Sequence, residues 1–197
     1  MILTFGTARI LCIAAVSVAC WSGAPPGDPR GEGAGPSQPI ACAEASFDGS
    51  GLGALRIGAT IETVRTACPV IRETPEIREE GLPARVLAVA FGMDTIEAEV
   101  DSGRVWRIVL SQPRFRTIDS LGVGTSIARL LALPGVHGVI GEGALYLAAP
   151  VHCGVSFRVT DPVDDSPASD WTLPMLKRLP AATVVTAVLI SGCLGAG

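Results

Sequence analysis

Apolar positions in this chain recur at two different periods, and the switches between them mark its elements. Residues 95–100, Thr-Ile-Glu-Ala-Glu-Val, alternate polar and apolar. Asp101-Ser102-Gly103 follows as turn chemistry, and residues 105–110 return. This pattern predicts a β-hairpin with Ile96, Ala98 and Val100 facing the core from one strand and Trp106, Ile108 and Leu110 from the other. Glu97, Glu99 and Arg107 then lie on the opposite face, placed to pair across the ladder. Residues 86–91, 138–140, 144–147, 153–159 and 184–191 are further strand candidates. Residues 72–80 are polar and interrupted by Pro75, so they read as loop.

The helical period appears only in short bursts. Leu55 to Val64 and Leu121 to Leu130 spell one phrase twice, 66 residues apart. The phrase is Leu, any residue, a branched aliphatic, Gly, any residue, Thr or Ser, Ile, two residues, an aliphatic. Gly58 or Gly124 supplies a residue free to take positive φ. Thr60 or Ser126 is suited to cap a helix N-terminus, and Glu62 suits the dipole of the first turn. Ile61, Val64, Ala67 and Cys68 share one helical face. Ile127, Leu130, Leu131 and Pro134 hold the same places in the second copy. Pro69 stops the first helix and Pro134-Gly135 the second. Helices of about two turns are not stable alone, so each is expected to lie on a sheet. A third short helix is expected over 173–179.

The N-terminus has a different character. Arg9 is the only charge before Asp28, and residues 10–19 are mostly apolar. Such a run falls short of the roughly 20 residues of a bilayer span but suits the core of an export signal, residues 1–19. Ser17-Val18-Ala19-Cys20 fits two cleavage styles. A general signal peptidase would cut after small residues. A lipobox-like cut would leave Cys20 as a lipidated N-terminus, although Ser17 stands where an aliphatic residue is usual. Residues 20–39 read as linker, since ten of the nineteen from Trp21 to Pro39 are Gly or Pro.

Without Arg9, 14 basic residues face 19 acidic ones, a net charge of −5. That argues against nucleic acid or an anionic membrane surface as partner. Membrane contact is expected only through a lipid on Cys20. Fourteen arginines against Lys177 as the single lysine read as the codon usage of a GC-rich bacterium.

Of six cysteines, Cys12 leaves with the signal and Cys20 leaves or becomes the anchor. Cys42, Cys68, Cys153 and Cys193 remain, and an even count in an exported chain implies two disulfides. Three pairings are open. Cys42–Cys68 with Cys153–Cys193, one bridge in each half, is favoured, each closure contributing roughly 3–4 kcal/mol on the chain-entropy account.

The duplicated phrase before a short helix resembles the start of SmpA/OmlA (BamE-type) lipoprotein domains. It is also similar to the half-repeats of β-lactamase-inhibitor proteins, and the hairpin around Asp101-Ser102-Gly103-Arg104-Val105 fits the same pattern. That resemblance implies an exported, non-catalytic protein that binds other proteins. The expected fold class is α+β, with two related halves, 40–116 and 117–197. Each half would have short helices packed on an antiparallel sheet.

Candidate chemistry is sparse. His152 precedes Cys153, but neighbours along a strand point to opposite faces, so an imidazole-activated thiol is not expected. His137 lies among small and apolar residues and reads as structural. His137, His152, Cys153 and Cys193 lack the spacing of a metal site. Asp161, Asp164, Asp165 and Asp170 could hold Ca²⁺, but their spacing is not that of an EF-hand, and a solvated acidic loop is the simpler reading. Gly49-Ser50-Gly51 lacks the frame of a hydrolase elbow, and residues 49–53 that of a phosphate loop. Arg114, Phe115 and Arg116 form a possible interaction patch. The expectation is an envelope or secreted protein that binds another protein, with no catalytic residues, no cofactor and no metal. The alternative is a small secreted hydrolase or metal-dependent enzyme using His152 or the acidic loop.

Overall fold

Both copies of the duplicated phrase make the same backbone connection, and the fold is built around those two joints. The computed structural model describes residues 42–77, 83–159 and 170–193. The signal, Cys20, the linker and Asp161, Asp164 and Asp165 lie outside them. The elements are β1 (Phe47–Asp48), β2 (Gly51–Leu52), β3 (Leu55–Arg56), α1 (Ile61–Ala67), β4 (Val70–Ile77), β5 (Pro83–Phe91), β6 (Asp94–Asp101) and β7 (Arg104–Leu110). They continue with α2 (Ile127–Leu131), β8 (His137–Gly141), β9 (Ala144–Ala148), a 3-10 turn (Pro150–His152), β10 (Val155–Val159), β11 (Asp170–Trp171), α3 (Leu173–Leu176) and β12 (Val185–Ile190).

In the first joint the Gly58 N–H donates to Val105 O at 2.7 Å. Val105 N–H donates to Ala59 O at 2.9 Å, and Ile61 N–H to Gly103 O at 3.3 Å. In the second, Gly124 N–H donates to Val185 O at 2.8 Å, Val185 N–H to Thr125 O at 2.9 Å, and Ile127 N–H to Thr183 O at 2.9 Å. Gly58 and Gly124 sit at φ +82° and +84°, the left-handed turn that aims the chain at the strand and that an L-residue resists. Thr60 and Ser126 are the N-caps of α1 and α2. Each phrase thus pins its helix to the start of β7 or β12, the last strand of its own half.

The strands form one nine-stranded antiparallel sheet in the order β11-β8-β9-β10-β12-β7-β6-β5-β4, beside a three-stranded sheet β1-β2-β3. The two halves meet where β12 pairs β7 through Val188↔Leu110, Leu189↔Val109 and Ile190↔Ile108. Helices α1, α2 and α3 add Ile61, Val64, Ile127, Leu130 and Leu176 to one core cluster. That cluster includes Leu87, Val89, Ile96, Ala98, Ile108, Leu110, Leu145, Leu147, Phe157 and Val188 from the sheet. Cys42–Cys68 and Cys153–Cys193 are bridged, 26 and 40 residues apart.

The fold class differs from the expectation: the architecture is predominantly antiparallel β, not α+β. The helices span seven, five and four residues, too few to make a layer of their own. They plug one face of a continuous sheet. The loop expected over 72–80 is a second correction: 72–77 belong to strand β4, and 78–80 lie outside the described residues. β4 is the sheet edge, where a proline costs no ladder hydrogen bond if its nitrogen faces away, and where charge guards against stray pairing. Arg72, Glu73, Pro75 and Glu76 have that edge composition.

The hairpin β6–β7 forms with Ile96, Ala98, Val100, Ile108 and Leu110 buried, but Trp106 does not point into the core. The register shifts between Glu99↔Arg107 and Val100↔Val105, leaving Trp106 as the extra residue of a β-bulge. A bulge places two residues opposite one and re-aims a side chain. Val105 takes the buried place instead, 1% exposed.

Candidate functional site

Two surfaces gather chemistry-bearing side chains. The first is the sheet face opposite the helices. Strict alternation from the buried positions assigns Glu99, Arg107, Val109, Leu189, Ser156, Arg158, Tyr146 and Ala148 to it, with Glu99↔Arg107 and Arg158↔Tyr146 directly opposed. The bulge adds Trp106, with the Arg107 guanidinium carbon 4.6 Å from the centre of its ring. Arg107 donates to Glu99 Oε1 at 2.7 Å and pairs also with Glu142 in the β8–β9 turn. From β9 to β7 is three strand steps, roughly 14 Å across a flat sheet. The Arg107–Glu142 pair closes because sheets twist and carry the turn over this face.

Arg107 and Glu99 have side chains 16% and 15% exposed, so the pair is only partly solvated. Burial alone would lower the Arg107 pKa, but hydrogen bonds to Glu99 and Glu142 outweigh it and raise the net value. The phenol of Tyr146 is pushed up by burial and by the Glu142 charge.

The second surface is an open cleft of about 840 Å³. One wall is the β1–β2 turn with the segment before it, and the other is the 117–119 turn with the 3-10 turn and Cys153–Cys193. On the first wall the Asp48 carboxylate accepts from Ser50 N–H at 2.8 Å, Ser50 Oγ–H at 2.6 Å and Arg56 Nη1 at 3.2 Å. On the second, His152 Nε2 lies 3.0 Å from Asp119 Oδ2, and Thr117 Oγ1 donates to the other carboxylate oxygen. Burial pushes Asp119 up, but the Thr117 hydroxyl, a backbone hydrogen bond and the neighbouring His152 more than offset it, and its pKa is lowered. Asp48 is likewise lowered, its burial outweighed by the Ser50 hydrogen bonds and Arg56. The walls stand close by necessity. A Cβ on Gly49 would fall 1.9 Å from Cys153 O, so only glycine lets the two segments meet.

Where the remaining candidates fall is mixed. His152 is joined to Asp119, 33 residues away. Among the described residues no serine or threonine hydroxyl and no cysteine thiol hydrogen-bonds its ring, and Cys153 is held in a disulfide. His137 is exposed, its Nδ1 3.3 Å from Gly135 O. Arg114, Phe115 and Arg116 do not form an exposed patch. Phe115 is fully buried, edge-on to Phe91 at 6.3 Å, while Arg114 beside it stays exposed and Arg116 is half-buried. Arg114 pairs with Asp94 and Phe91 O, and Arg116 donates to Thr125 Oγ1 at 3.2 Å. Among the described residues no group of three His, Cys, Asp or Glu side chains could hold a metal. Asp170 lies in β11, and the rest of the acidic loop is outside the described residues. Sequence reasoning missed Trp106, Tyr146 and Arg158 as a group because only strand register brings them together. It missed Asp119 because no local pattern ties it to His152.

No protein-family model and no curated protein matches this chain. Among solved structures the fold is similar to the uncharacterized protein yfeY from Escherichia coli. The TM-score is 0.55 at 14% identity, over 74% of this chain and 99% of that one. At that identity the likeness establishes a shared fold and nothing of activity.

Proposed function

We propose that this chain is an exported, non-catalytic protein of the bacterial cell envelope that binds another protein through the helix-free face of its large sheet. One observation carries the reading: Trp106, Arg107, Tyr146 and Arg158 gather on that face, partly buried. Tryptophan, tyrosine and arginine are the side chains that dominate binding energy at protein interfaces. The two disulfides are consistent with an exported chain. The envelope placement rests on the N-terminal signal, with Cys20 as lipid anchor or a soluble form as its two versions. The matching joints of Gly58 and Gly124 support an internal duplication, and the resemblance to BamE-type and β-lactamase-inhibitor domains points the same way.

The test is site-specific photocrosslinking in the native envelope. A crosslinker in place of Tyr146 is expected to give one discrete adduct that disappears when Trp106→Ala is added. The same crosslinker at the fully exposed Met93 is expected to give none. Identical adducts from both positions, or no adduct from position 146, would overturn the proposal.

A second reading, a small secreted hydrolase, is favoured by the His152–Asp119 contact beside the cleft, an imidazole oriented by a carboxylate. It requires hydrolytic turnover that His152→Gln abolishes in a folded chain. Turnover unchanged in that variant removes it.

A further inference from the structure

We infer that the cleft between the β1–β2 turn and the His152–Asp119 turn is a second docking site. Its occupant is a partner-protein segment that carries arginine or lysine next to aliphatic side chains. This goes beyond the sheet-face reading and does not depend on it.

The size is that of a binding site. About 840 Å³ lies within the roughly 300–1,000 Å³ of ordinary ligand clefts. The lining is more apolar than polar, and it includes two exposed aliphatic side chains. Ile118 is 93% exposed and Val151 64%. Exposed aliphatics scattered singly are ordinary; here two line the same cleft, beside its carboxylates.

Charge chooses the occupant. Glu44, Asp48 and Asp119 line the cleft, against Arg56 and His152. Arg56 is already committed to Asp48, and His152 to Asp119. The lining thus holds three carboxylates against one guanidinium and one imidazole. An anionic segment would meet repulsion, a purely apolar one would bury carboxylates against hydrocarbon, and a cation beside aliphatic carbon satisfies both surfaces.

The site is also ready-made. The Gly49 backbone packs on Cys153, and the Cys153–Cys193 bridge fixes one wall. The Asp119–His152 contact ties the 117–119 turn to the 3-10 turn. Little ordering is left to oppose binding.

The experiment titrates the ¹⁵N-labelled mature chain, both disulfides intact, with four probes. They are a capped hexapeptide alternating leucine and arginine, its leucine–glutamate and serine–arginine counterparts, and spermidine. The leucine–arginine peptide is expected to shift amide signals clustered at Asp48, Ser50, Ile118, Asp119 and Val151. Its affinity should fall about tenfold for the serine–arginine peptide and for Ile118→Ser, and further as salt rises. Ile118→Ser changes a side chain already in solvent, so an unaltered remainder of the spectrum keeps folding out of the result. No shifts at about 5 mM peptide, equal shifts from the glutamate peptide, or shifts away from the cleft would overturn the site. Full binding by spermidine would overturn its assignment to a protein segment.

Discussion

The two halves solve one problem with the same backbone and different side chains. In both, a left-handed glycine turns the chain onto its last strand, and three hydrogen bonds of matching pattern hold the joint. Around that shared joint the fittings diverge. The first half caps its helix with Thr60, whose Oγ1 accepts from Thr63 N–H at 3.2 Å; Ser126 makes no such bond. The first half's bridge is sunk in the core, Cys42 4% and Cys68 2% exposed. The second half's bridge lines the cleft, with Cys153 exposed. The joint is what the architecture requires, while capping and bridge placement are local choices.

The largest expected difference is in the bridges. Replacing either pair by alanine should cost about 3–4 kcal/mol through loop entropy, since closures of 26 and 40 residues differ little on that account. Access should separate them sharply. Under native conditions dithiothreitol is expected to reduce Cys153–Cys193 first. Cys42–Cys68 should open only with global unfolding, which alkylation and mass spectrometry can follow. Simultaneous reduction would erase this contrast.

A smaller effect separates the caps. Thr60→Ala should lose about 1 kcal/mol in urea denaturation, while Ser126→Ala should change stability by no more than a few tenths. Equal losses would mean that the second helix start depends on its serine in a way the hydrogen bonds do not display.

The smallest expected effect is in acid. Asp48 and Asp119 have lowered pKa values in the folded chain. The stability they contribute is therefore complete above the ordinary carboxylate value of about 4 and fades as pH falls through the lowered folded values. Asp119→Asn should flatten the acid limb of the stability profile by slightly lowering its neutral plateau, with the acid end little changed. The side chain is 46% exposed, so solvent screens the effect. A steeper acid limb in the variant would contradict the assignment.

Much of this was legible in the chain because period-two alternation encodes one buried face. Ile96, Ala98, Val100, Ile108 and Leu110 followed the rule. Trp106 broke it, since a bulge is a matter of pairing register that one strand's sequence does not carry. β4 was obscured because an edge strand tolerates Pro75 and charge, the features that otherwise signal a loop. The strands β1, β2 and β3 are two residues each, too short to show any period. The cleft escaped for a related reason. Asp119 and His152 belong to separate turns, and only the folded sheet brings them within 3.0 Å.

The antiparallel seam of β7 against β12 has an architectural corollary. A half standing alone would end in a naked ribbon edge, and such an edge is self-complementary under a half-turn. Pairing β7 with β12 inside one chain keeps both of these edges from recruiting a strand of another molecule.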